Sequence, residues 1–363
     1  MADRPMDKQS FLDVMDNKET HGVPSLFWFH FSPQSAFISG PGNPRLFQRT
    51  LEGHRKYLRE VPYGAVKVMT EGYFMPSSLR DLGDYRGDSL RKIGPMDPHD
   101  PWIEEQVELC RQVAQMTEGR SAVFWTIFSP LFYLVFRSVC GALQNKALNA
   151  LFGQLGKVKI FDHFFKNIRL GKFRQLIKSG VLESDPGAFR HAHDCLTADL
   201  KILAGRLLKE GGADGIFFSV QSVDGLSGEN YRKHIAPGEQ EILDYAAGIN
   251  DYNILHICGQ NFKNDVTNYA NYNAKLYNWP AFAYGPTLRE GKAFFGGRAV
   301  IGGFGEGKDS ILYSGSREEI EAWTEKLIKD TGRQGLIMGA DCAIPGDINR
   351  DHLKWVRDKA ASL

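Results

Sequence analysis

The sequence predicts an α/β protein built as a (β/α)8 TIM barrel, and three observations carry that prediction. Apolar runs of strand character recur about eight times, and helical spacing follows them. No Gly-rich fingerprint opens the first helix, which disfavours the doubly wound open sheet that would show the same alternation. Residues able to do chemistry also gather at the C-terminal ends of the runs, the rim where barrels carry their sites.

Taken in order, Pro24-Ser25-Leu26-Phe27-Trp28-Phe29-His30-Phe31 reads as a buried aromatic strand stopped by Ser32-Pro33. Leu46 to Glu60 has helical apolar spacing, and Ala65 to Met69 is a second strand leading into Thr70-Glu71-Gly72-Tyr73. Asp100-Pro101 opens a helix, Asp at the N-cap and Pro in the first turn, that runs to about Thr117. Ser121 to Phe128 is the third strand. The alternation then stops, and about 131–195 reads as a helical insertion, apolar first and then basic, with a solvated charged face. Asp185-Pro186 caps a long helix ended by Gly211-Gly212. Strands follow at Gly215 to Gln221, Asn253 to Cys258, Ala274 to Trp279, Arg298 to Phe304 and Gly335 to Met338. Helices are expected from Pro237 to Ile249, near Asn264 to Tyr272, from Leu288, after Ser316 with Glu319 closing a capping box, and from Arg350 to Ala361.

The chain of 363 residues is long enough for one large barrel domain spanning 1–363. Its 44 Lys and Arg against 43 Asp and Glu give a net charge of +1, which supports neither a nucleic-acid partner nor a membrane-surface one. Five scattered cysteines and a polar Met1–Thr20 stretch without an apolar core point to a reducing cytoplasm rather than export. The most apolar segment, Pro130 to Gly141, is broken by Arg137 and is too short to span a bilayer.

The sharpest chemical signal is Asn253-Ile254-Leu255-His256-Ile257-Cys258-Gly259. On a strand, His256 and Cys258 project to one face and offer half of a tetrahedral zinc site. Cys342, just past the last apolar run, supplies a third ligand and leaves the fourth position open, as catalytic zinc requires. The alternative is that both cysteines are small core residues and His256 a hydrogen-bonded strand end. His30, Glu71, Gln221, Asn278 and Asp341 arrive at the same rim. Glu71 and Asp341 are expected as catalytic carboxylates, with Glu71 close to the metal; Asp341 alternatively orients His256 or caps the final helix. His30, Gln221 and Asn278 are expected to contact substrate, although His30 also reads as a satisfied core histidine.

Several stretches resemble the uroporphyrinogen decarboxylase-like barrels. They are Trp28-Phe29-His30-Phe31, Lys67 to Tyr73, Gly212-Ala213-Asp214-Gly215, Leu255 to Gly259, Ile301-Gly302-Gly303-Phe304 and Gly339-Ala340-Asp341-Cys342. The superfamily includes cobamide-dependent methyltransferases, marked by a His-x-Cys pair and a distant Cys on zinc, which map onto His256, Cys258 and Cys342. The resemblance implies a zinc-dependent methyltransferase that moves a methyl group between a corrinoid, carried by a partner protein, and a small thiol or methylated substrate. The decarboxylase branch fits less well. Its N-terminal arginine loop is missing after Trp28, and Glu71 stands where an Asp is expected. A porphyrinogen lyase and a non-catalytic zinc-stabilised docking scaffold are the alternative functions.

Overall fold

The computed structural model describes residues 7–33, 36–61, 64–80, 82, 87–134, 185–221, 226–259 and 265–363. Among the described residues, seven strands lie in one parallel sheet in chain order. They are β1 Ala65–Val68, β2 Ala122–Phe128, β3 Gly215–Gln221, β4 Ile254–Cys258, β5 Leu276–Asn278, β6 Ala299–Phe304 and β7 Leu336–Ala340. Parallel neighbours need crossover connections, and helices such as Pro101–Thr117, Pro186–Lys209, Ala236–Ala247 and Arg317–Thr331 provide them. Local chemistry starts these helices where expected. Asp100 accepts from Trp102 N, Asp185 from Ala188 N, and Ser316 with Glu319 forms a full capping box. The last helix runs over Arg350–Ala361.

The structure corrects the strand count. Pro24–Phe31 is not an eighth strand: it makes one parallel bridge, Ser25 to Met338 of β7. Beyond that bridge, where Leu26 N donates to Met338 O and Pro24 O accepts from Met338 N, its backbone groups go to other partners. Phe27 O accepts from the Tyr57 hydroxyl, Trp28 O from Ile344 N at 3.0 Å, and Phe31 N donates to Glu71 Oε1 at 2.9 Å. The segment thus follows the eighth barrel position without a ladder. The helix expected near Asn264–Tyr272 is only a 3-10 turn, Val266–Tyr269. Asn268, Asn271 and Asn273 are of a residue type with low helix propensity, which disfavours a longer helix. Within Met1–Thr20, read as polar and without an apolar core, Lys8–Met15 forms a helix whose N-cap Asp7 accepts from Ser10 N. Most of the expected insertion, 135–184, lies outside the described residues.

Alternation along the strands decides what fills the barrel. Ala65, Met69, Ala122, Phe124, Phe217, Ile254, Leu276, Ala299, Ile301 and Ile337 share one buried cluster with Leu26 and Trp28. Phe11, Leu12, Val14 and Met15 of helix Lys8–Met15 join it, so this helix closes the end of the barrel opposite the strand C-termini. Above that layer the inward positions turn polar: Lys67, Thr126, Ser219, His256 and Asn278 are all buried. The change from apolar to polar along the barrel axis is what places the site.

Candidate metal centre

His256 is in register with Ser219 on one side and Asn278 on the other, at the level where the interior becomes polar. Two residues on, Cys258 reaches the same face at the end of β4. Cys342 comes from the loop after β7, whose path is set by Asp341 N bonding Phe304 O at 3.0 Å and Ile344 N bonding Trp28 O at 3.0 Å. The ligand atoms of His256, Cys258 and Cys342 all lie within 4.8 Å of one another. Cys342 Sγ is 3.6 Å from His256 Nε2. All three residues are buried, the two cysteines at 9 % exposure.

Asn278 determines which imidazole nitrogen faces the sulfurs. Its Nδ2 donates to Ile301 O at 2.8 Å and Ala340 O at 3.1 Å, so its Oδ1 must face His256 Nδ1. An amide oxygen only accepts, so Nδ1 carries the proton and Nε2 keeps its lone pair toward Cys342. That is the tautomer a metal ligand needs, held by a hydrogen bond behind the ring. The two sulfurs are less comfortable without a cation. The Cys342 thiol is pushed well above its ordinary range, first by its hydrogen bond with Cys258 and then by burial. A divalent cation would remove that conflict, since coordinated thiols ionise outright. The donor set and the fixed tautomer therefore fit zinc.

The other expected site residues divide. Asn278 is fully buried with its amide committed to His256 and to the Ile301 carbonyl, so it positions His256. Asp341 anchors the loop after β5, its Oδ1 accepting from Phe282 N at 3.0 Å and its Oδ2 from Ala283 N at 2.9 Å. Burial pushes its carboxyl up to about 6 against those bonds. Glu71 lies outside the three-residue ligand group. Its Oε1 meets His30 Nδ1 at 3.1 Å and Phe31 N at 2.9 Å, while its buried Oε2 has no hydrogen-bond partner among the described residues. Gly72 fixes this turn: at φ +96 an added Cβ would lie 2.6 Å from Gly40 Cα. His30 is partly exposed and packs on Phe37, ring centroids 4.7 Å apart. Gln221 ends β3 in register with Cys258.

Two residues were missed. Lys67 is an inward-facing, buried ammonium beneath the centre. The alternation Ala65-Val66-Lys67-Val68-Met69, with a cation on the core face, was the available signal. Glu306, after β6, is pushed up to about 8 by burial and then by Cys258 and Asp341. Its position just past a strand end was the only hint.

Residues 180–363, over half of the chain, match the uroporphyrinogen decarboxylase (URO-D) family. The chain belongs to that family. All three ligand residues of the URO-D-family chain fall inside the matched region. Among solved structures, a methyltransferase from Methanosarcina mazei is similar with a TM-score of 0.63 at 14 % identity, covering 97 % of this chain and 98 % of that one. A B12-independent methionine synthase from Shewanella sp. W3-18-1, in complex with selenomethionine, gives a TM-score of 0.50 at 12 % identity, covering 94 % and 96 %. At such identities the likeness speaks for the fold. No curated protein matches the sequence. Among the described residues no helix is long and apolar enough to cross a membrane.

Proposed function

We propose that this URO-D-family chain is a methyltransferase, one barrel domain with an insertion at about 131–195, whose zinc is held by His256, Cys258 and Cys342. It moves a methyl group between a corrinoid carried by a partner protein and a small thiol or methylated substrate, in the cytoplasm. The observation that carries this reading is the buried convergence of one imidazole and two sulfurs with the histidine tautomer already fixed by Asn278. Held by His256, Cys258 and Cys342, zinc would supply a Lewis acid able to ionise a substrate thiol. The thiolates of Cys258 and Cys342 would offset the charge of such an ion, which suits thiol chemistry better than water activation.

The chain's own groups do the rest. Asn278 keeps His256 Nε2 aimed at the sulfurs, and Asp341 holds the loop at Phe282 and Ala283 beside them. Glu71 ties His30 and Phe31 together at the rim and has a free Oε2 to accept the substrate's proton. Glu306, held protonated near neutral pH by burial, is a second proton site, close enough for the charges of Cys258 and Asp341 to act on it. His30 and Gln221 remain as substrate contacts at the mouth.

The test is metal analysis joined to turnover. Wild type is expected to carry about one zinc per chain and to demethylate methylcobalamin only when a thiol is added. Cys258→Ser and Cys342→Ser should each lose most of the metal and the activity while keeping wild-type circular dichroism. The family match makes porphyrinogen decarboxylation the competing reading. Release of coproporphyrinogen from uroporphyrinogen, undiminished in Cys258→Ser, would replace our proposal with that one. Zinc-loaded protein that turns over neither substrate would favour the docking scaffold.

A further inference from the structure

Interior barrel positions are ordinarily filled by branched apolar residues, yet the inward position at the centre of β1 holds Lys67, only 7 % exposed. Its ammonium sits over the Phe217 ring at 4.6 Å and the Trp28 ring at 5.6 Å. Its one hydrogen-bond contact among the described residues is the Met69 thioether at 3.3 Å, and no carboxylate forms an ion pair with it. Two ring faces and a sulfur are poor replacement for three water contacts. A buried cation so weakly solvated is costly unless negative charge lies nearby.

Negative charge reaches it from Glu71 and, once ionised, from the two cysteines of the metal centre. The same two rings pack on the ligand histidine: Phe217 lies 5.2 Å and Trp28 6.1 Å from the His256 ring. Cys342, Glu71 and Cys258 are the groups whose charge acts on Lys67, each favouring the ammonium. Burial outweighs them and brings Lys67 down to about 8, which leaves it mainly charged at neutral pH.

We infer that Lys67 is a positioning residue acting through charge: a buried counter-ion that biases the open fourth position of the centre toward an anionic sulfur ligand. The inference rests on the metal reading above. The sign follows from counting charge. A divalent ion with two thiolates and one imidazole is neutral; a third thiolate makes it an anion, whereas water or imidazole leaves it neutral. A fixed cation below the site stabilises the anionic complex and does little for the neutral ones. Interactions between charges in a protein interior are strong enough for such selectivity, since little water screens them.

The experiment uses full-length protein loaded with Co(II), titrated with 2-mercaptoethanol and separately with imidazole, following the sulfur-to-cobalt charge-transfer and d–d bands. Lys67→Met should still bind about one cobalt per chain but take the thiol roughly tenfold more weakly. Its imidazole affinity should match wild type. Lys67→Arg, which keeps the charge, should hold the thiol within about threefold of wild type. Lys67→Gln provides a second neutral variant. Equal thiol affinity in wild type and Lys67→Met would overturn the inference and leave the metal centre standing. So would failure of both neutral variants to hold cobalt, because a counter-ion to the fourth ligand leaves a three-ligand site intact. Wild-type protein that takes up no cobalt would overturn the reading of the centre itself.

Discussion

At the scale of single residues, Asn278 matters most after the ligands. It connects three strands by one side chain: His256 on β4, Ile301 O on β6 and Ala340 O on β7. Replacing it with Ala leaves His256 Nδ1–H without its acceptor and lets the ring turn. We expect Asn278→Ala to bind zinc about 10- to 100-fold more weakly, as loss of the group behind a metal-bound histidine does elsewhere. Competition against a chromogenic chelator measures this; unchanged affinity would show that something else holds the tautomer. Asn278→Asp keeps an acceptor and should retain more of the affinity. The convergence of His256, Cys258 and Cys342 was readable because side-chain period and residue type sufficed. The role of Asn278 was not, because its partners are backbone carbonyls of two other strands that no spacing reveals.

At the scale of elements, the outer layer contains its own polar junction. Glu239 on helix Ala236–Ala247 is fully buried, and its Oε2 accepts from Tyr272 Oη at 2.6 Å and from the Tyr231 hydroxyl. Tyr231 lies on helix Gly228–His234, and Tyr272 follows the 3-10 turn Val266–Tyr269, so one carboxyl joins three elements. Burial pushes it from 4.5 up to about 7. The folded protein therefore keeps a proton that the unfolded chain releases. The stability this proton represents is complete below about pH 4.5 and disappears as pH rises through 7. Its size is about 3 kcal/mol, from the ~1.4 kcal/mol that accompanies each pH unit of displacement. Glu239→Gln does not titrate, so its stability relative to wild type should improve by about that amount between pH 4.5 and pH 8 in urea melts. A difference flat with pH would mean the carboxyl is ionised throughout. The helices themselves were mostly legible. Those opened by Asp100, Asp185 and Ser316 carry their caps in the sequence. Helix Lys8–Met15 was not, because its apolar residues sit among charges and its partners are far away in the chain. The Pro24–Phe31 segment looked like a strand by composition, yet beyond its one bridge to β7 its backbone bonds are taken by Tyr57, Ile344 and Glu71.

At the scale of the molecule, the barrel has a polar, chemical end and a sealed end. Phe11 is fully buried in the seal, its ring 5.8 Å from that of Phe124. Phe11→Ala should cost about 3–5 kcal/mol, read as a lower urea midpoint, with zinc content at 25 °C unchanged because the cavity opens at the far end of the interior. Loss of metal in this variant would mean the two ends are coupled through the core. The seal is also tied to distant parts of the chain. Asp16 receives Lys275 Nζ at 2.5 Å and Tyr252 Oη at 3.0 Å, and Asn17 O accepts from Gln334 Nε2 at 2.5 Å. The last of these joins residues 317 apart in sequence. During synthesis, then, helix Lys8–Met15 is made before its seat is complete, because the residues that cover Phe11, Leu12, Val14 and Met15 run from Leu26 through Phe124, Phe217 and Ile254 to Ile337. Contacts this remote in sequence are slow to close, so docking of this helix is a late event and its apolar face the part of the nascent chain most in need of a chaperone.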